Sequence, residues 1–85
     1  MYFLIKRNLE NNHCYVATDG CKDRVFHSLD EARHVEETTR RSFYGNRDIH
    51  IVELKSSREA HQYCFLRNDG VPQDEALAFI ELKRR

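Results

Sequence analysis

Eighty-five residues and 10.2 kDa leave room for one small domain. Lys and Arg number 14 and Asp and Glu number 14, so the formal charge is zero, without the basic excess of a domain that binds nucleic acid across a whole face. No apolar run approaches the length of a membrane span, and Lys6 and Arg7 interrupt residues 1–9 where a signal peptide needs an apolar stretch, so the chain is expected to be soluble and cytoplasmic. Leu, Ile, Val and Phe make up about a quarter of it, above the range where disorder is the default. Three cysteines, Cys14, Cys21 and Cys64, are odd in number and too few for a disulfide scaffold, which suits free thiols in a reducing compartment.

Residues 2–7 (YFLIKR) and 13–18 (HCYVAT) are aromatic and β-branched, and the asparagines between them tolerate the positive φ of a hairpin turn. Asp19-Gly20 turns the chain again, and residues 24–27 read as a third short strand. Ser28 with Glu31 forms a capping box, and Leu29, Ala32, Val35, Thr39 and Phe43 recur on one helical face. Glu36–Arg40 and Glu37–Arg41 pair along the opposite side, and Gly45-Asn46 supplies a left-handed stop. A helix over residues 29–44 follows. Residues 48–55 (DIHIVELK) form a strand with Ile49 and Ile51 on one face and Val52 and Leu54 on the other, a pattern of a central strand or a bulge. Residues 56–61 read as loop and 62–67 (QYCFLR) as a further strand, closed by the Asn68-Asp69-Gly70 turn. Pro72 opens a second helix over residues 72–83. The expected fold is a single α+β domain, a two-layer sandwich on a mostly antiparallel sheet with the order ββ(β)αββα.

Five histidines raise the question of metal. His13, Cys14, Cys21 and His27 lie within fifteen residues but lack the closely spaced pair that starts a zinc knuckle, and adjacent strand positions 13 and 14 point to opposite faces. No metal and no cofactor is expected. Cys64 has His61 and Arg67 three residues to either side, offsets that in a strand place them on the opposite face, so Cys64 reads as core. His27 and His50 could serve as acid and base of a small ribonuclease-like enzyme with Arg47 or Lys55 on the phosphate, although no spacing compels it. Arg40, Arg41, Tyr44 and Arg47 interleave arginines with aromatics in an acid-free segment, the make-up of a nucleic-acid contact, against which stands the ordinary reading of a helix C-terminus with dipole-complementing arginines. In the last helix the apolar residues spread over most of the circumference. Docking on a sheet accounts for Leu77 and Ile80 but leaves Ala78, Phe79 and Leu82 as a surface for a partner or a second copy.

Residues 26–32 (FHSLDEA) and 49–54 (IHIVEL) resemble a pattern of small phage and bacterial proteins in which a sheet hairpin precedes an SLDEA helix start and an I-x-I-V-E-L strand. About half the chain is covered. The resemblance implies a phage-type accessory protein that binds and blocks or redirects a bacterial enzyme, as anti-restriction and anti-CRISPR inhibitors do, and it assigns no residue a role. The expectation is therefore a non-catalytic protein-binding module, with nucleic-acid binding and ribonuclease-like catalysis as alternatives.

Overall fold

The computed structural model describes residues 1–41 and 48–84. In chain order it contains β1 (Tyr2–Arg7), β2 (Cys14–Val16), β3 (Thr18–Asp19), β4 (Lys22–Asp23), β5 (Val25–Phe26), α1 (Leu29–Arg41), β6 (Ile49–Glu53), α2 (Ser57–Asn68) and α3 (Gln73–Lys83). The expected α+β class and antiparallel sheet are what the structure shows.

β1 is the central strand. β6 lies along one side of it, antiparallel, from Tyr2↔Glu53 to Lys6↔Ile49. Along the other side β2 pairs with its C-terminal half and β5 with Tyr2 and Phe3. The β1–β2 turn uses its asparagines as anticipated. Asn12 takes φ +63°, and the Asn8 and Asn11 side chains accept from the backbone N–H groups of Glu10 and His13 at 2.9 and 3.0 Å. β3 and β4 form a small hairpin at Gly20 (φ +68°), and the Arg24 N–H donates to the Ala17 carbonyl at 2.9 Å across its base. β2 and β5 thus form one sheet edge interrupted by a hairpin excursion.

Helices pack on both faces, which explains why Phe3, Leu4 and Ile5 are all buried in succession. Phe3, Ile5, Cys14, Val16, Val52 and Leu54 meet Ala60, Tyr63 and Cys64 of α2 and Ala76 and Ile80 of α3. Leu4, Ala17, Phe26 and Ile49 meet Ala32 of α1, with Val35 and Ile51 half-buried beside them. The alternation expected for β6 holds, but its cause differs. Among the described residues β6 pairs only with β1, so it is an edge strand covered on both faces, not a central one.

The segment expected as loop and strand, residues 56–67, is the helix α2 instead. Ser56 Oγ accepts from the Glu59 N–H at 3.2 Å, and Glu59 Oε1 accepts from the N–H of Lys55, the residue before the N-cap, at 2.8 Å, a variant of the capping box that satisfies two backbone donors. Ala60, Tyr63 and Cys64 then face the sheet at helical spacing. The helix ends in a Schellman turn. Gly70 takes φ +93°, its N–H donates to Arg67, and the Val71 N–H donates to the Leu66 carbonyl. α1 begins as expected, with Ser28 Oγ near the Glu31 N–H at 3.4 Å. Its expected extension to residue 44, Phe43 as a core residue and the Gly45-Asn46 stop lie outside the described residues. Pro72 stands at the N-cap of α3, one place before the expected first turn.

Candidate functional site

α3 packs mainly on α2 and scarcely on the sheet. It buries Ala76 and Ile80 and half-buries Leu77. Ala78 is exposed, Phe79 is 42% exposed and Leu82 is 64% exposed. Successive residues turn by 100°, so Leu82 lies about 160° round from Ile80, and the apolar character of α3 is split between an inner and an outer face. Lys83 Nζ stands 4.9 Å above the Phe79 ring, a cation–π contact that covers only part of that face. Phe65 of α2 is 71% exposed as well. Arg84 fixes the far end of α3 by donating from Nε and Nη2 to the two carboxylate oxygens of Glu59 at 2.8 and 2.6 Å. These bonds hold the Glu59 carboxyl down at about 2. A cleft of about 550 Å³ lies beside this pair, lined by Arg58, Gln62, Ile80 and Lys83 among others.

A second polar cluster sits between β6 and α2. His50 is bonded to the hydroxyl of the fully buried Tyr63 at 2.7 Å, with the rings edge-on at 5.8 Å. Burial holds the imidazole below its ordinary range, and the positive charges of Arg67, Arg7 and Arg40 add to the effect. Arg67 donates to the Val71 carbonyl at 3.0 Å, and Arg7 forms an ion pair with Asp48. The cluster places a neutral imidazole among guanidinium groups. The His50–Tyr63 pair is not legible in the sequence while residue 63 reads as strand, because only the helix α2 turns the Tyr63 hydroxyl toward β6.

The other candidates are dispersed. His27 is exposed ahead of α1, while the ring of His50 is engaged by Tyr63 beneath α2, and no hydrogen bond joins the two histidines. Arg40 donates to the Ile49 carbonyl at 2.7 Å and lies 3.7 Å from Glu36, and Arg41 pairs with Glu37. Tyr44 and Arg47 lie outside the described residues. Cys14 and Cys64 are buried and Cys21 is exposed. Among the described residues no three His, Cys, Asp or Glu side chains converge as a metal site.

Cys64 lies on α2, not on a strand. At helical spacing His61 and Cys64 share a side, and together with His13, Tyr15, Phe65 and Asn68 they border a groove of about 250 Å³. His61 Nε2 is bonded to Asp23 at 2.7 Å, however, and burial pushes the Cys64 thiol up to about 12. Cys64 stays a protonated core thiol at neutral pH.

No described helix is long and apolar enough to cross a membrane. No family model, curated protein or solved structure matches the chain.

Proposed function

We propose that this chain is a non-catalytic protein-binding module, a phage-type inhibitor or modulator of a bacterial enzyme or complex in the host cytoplasm, which docks through Ala78, Phe79 and Leu82. One observation carries the reading. The outer face of α3 leaves two large apolar side chains in solvent on a helix whose inner face already meets its packing needs. An aromatic ring flanked by an aliphatic side chain is the usual kind of anchor in a protein interface. The end of the helix is tied to α2 by the Arg84–Glu59 pair. The nucleic-acid alternative has less support, since the formal net charge is zero and Arg41 already pairs with Glu37.

A photo-reactive amino acid at position 82 tests this in the intact chain. The expected result is a single protein adduct that survives nuclease treatment and is lost in Phe79→Asp. Phe79→Asp and Leu82→Asp should melt close to wild type, whereas Ile80→Asp should unfold the domain. Burying an unpaired charge costs several kcal/mol against a total stability of about 5–15 kcal/mol. Co-purified nucleic acid that disappears in Arg40→Ala/Arg41→Ala, with Phe79→Asp unaffected, would overturn the reading.

A further inference from the structure

The two edges of the sheet are treated differently. On the β2–β5 edge, Asn68 clamps the outward backbone of Cys14, accepting from its N–H at 2.6 Å and donating to its carbonyl at 3.0 Å. The β3–β4 hairpin then breaks that edge before a foreign strand could extend along it. The β6 edge runs five residues without interruption. The Arg7 N–H donates to the Asp48 carbonyl and the Leu54 N–H to the Met1 carbonyl. Antiparallel alternation between these two bonds directs the backbone groups of His50 and Val52 toward β1, and those of Ile49, Ile51 and Glu53 outward. Of the outward groups, the Ile49 carbonyl receives Arg40 Nη2 at 2.7 Å. Those of Ile51 and Glu53 have no backbone partner among the described residues. No proline, lysine or bulge guards positions 49–53.

We propose that β6 pairs with β6 of a second copy of this chain, antiparallel about a two-fold axis through Ile51, so that the two sheets become one. Charge complementarity selects a second copy over an arbitrary strand. In this register Ile51 faces Ile51 of the second copy, and Ile49 faces its Glu53. Residues 49, 51 and 53 share the sheet face covered by α1, the same face from which Arg40 reaches the Ile49 carbonyl. The exposed Glu53 of each copy therefore arrives beside Arg40 of the other, giving two symmetric ion pairs. The Arg40 side chain is 52% exposed and only loosely paired with Glu36, so it is available for that contact. The Ile49 carbonyl has a second lone pair for the incoming Glu53 N–H while Arg40 keeps the first. Half-buried Ile51 gains an apolar neighbour at the axis. This surface is separate from the outer face of α3.

Light scattering and sedimentation of the full chain from micromolar to near-millimolar concentration test the pairing, with amide exchange read at Ile51 and Glu53. The expected result is a concentration-dependent dimer in which these two amides gain protection as it forms. Glu53→Pro removes only an outward N–H and leaves the β1 ladder intact, so it should give a folded monomer. Glu53→Arg and Arg40→Glu should each weaken the dimer about tenfold or more, and the double exchange should restore it. A chain that stays monomeric throughout would overturn the proposal. So would a dimer that persists in Glu53→Pro with the Ile51 amide unprotected, or one abolished by Leu82→Asp in place of the β6 variants.

Discussion

His50 shows how one side chain can make the domain acid-sensitive. It lies between β6 and α2, bonded to Tyr63 and in the field of Arg67, Arg7 and Arg40, while Asp48 is engaged by Arg7. Its folded-state pKa is lowered from 6.5, so the unfolded chain binds the proton more readily. Stability is therefore complete above pH 6.5 and is lost as the pH falls below it. Thermal midpoints should drop between pH 7 and 5, and His50→Gln should flatten that slope while leaving the more acidic losses in place. Tyr63→Phe should cost about 1–3 kcal/mol, because it leaves a half-buried ring nitrogen without its partner. The cysteines give an independent check at the same scale. In native buffer a thiol reagent should modify Cys21 quickly and spare Cys14 and Cys64, each 5% exposed, with all three reacting in denaturant. Rapid labelling of Cys64 would mean that α2 does not cover it.

At the scale of elements, α2 depends on its first turn. Residues 62–67 carry four aromatic or apolar side chains in succession, at positions 63–66, and nothing in that run by itself distinguishes a helix from a strand. The decision lies upstream, where Ser56 and Glu59 satisfy backbone donors that a loop would leave to water. Ser56→Ala should lower stability by about 1 kcal/mol, measured by chemical denaturation, and a change near zero would show that the cap is not needed. Glu59 also binds Arg84, and its folded pKa of about 2 lies below the ordinary 4.5. Its contribution is present above pH 4.5 and is lost as the pH falls toward 2, a window separate from that of His50. Glu59→Gln should remove this second acid limb and loosen the end of α3, seen as faster amide exchange in residues 80–84.

At the scale of the whole molecule, a six-residue central strand with three buried residues in succession and three short helices build a core of apolar and aromatic side chains, in which the Tyr63 hydroxyl is satisfied by His50. The possible metal ligands are spread over different elements, with Cys14 under α2 and Cys21 on the β3–β4 turn. Because no three such side chains converge among the described residues, the thermal midpoint is expected to be unchanged by excess chelator. A large drop would show that ligands gather in solution as they do not in this structure.

The sequence by itself determined the elements whose signals are local. These are the asparagine turn between β1 and β2, the turn at Gly20, the capped start of α1, and the alternation of β6. It also determined the α+β class that follows from them. Ser56 and Glu59 stand at capping-box spacing just ahead of residues 62–67, a local cue that the expectation of a loop over 56–61 leaves unused. Only the tertiary structure decided that β6 is an edge among the described residues, because a strand covered on both faces has the same sequence pattern wherever it stands in the sheet. It alone brought Tyr63 and Arg67 to His50 and turned Arg40 onto the Ile49 carbonyl. It also divided α3 into an inner face of Ala76 and Ile80 and an outer face of Phe79 and Leu82. Hydrophobicity along the chain reports how much surface seeks cover, and where that cover comes from depends on which helix folds over which strand.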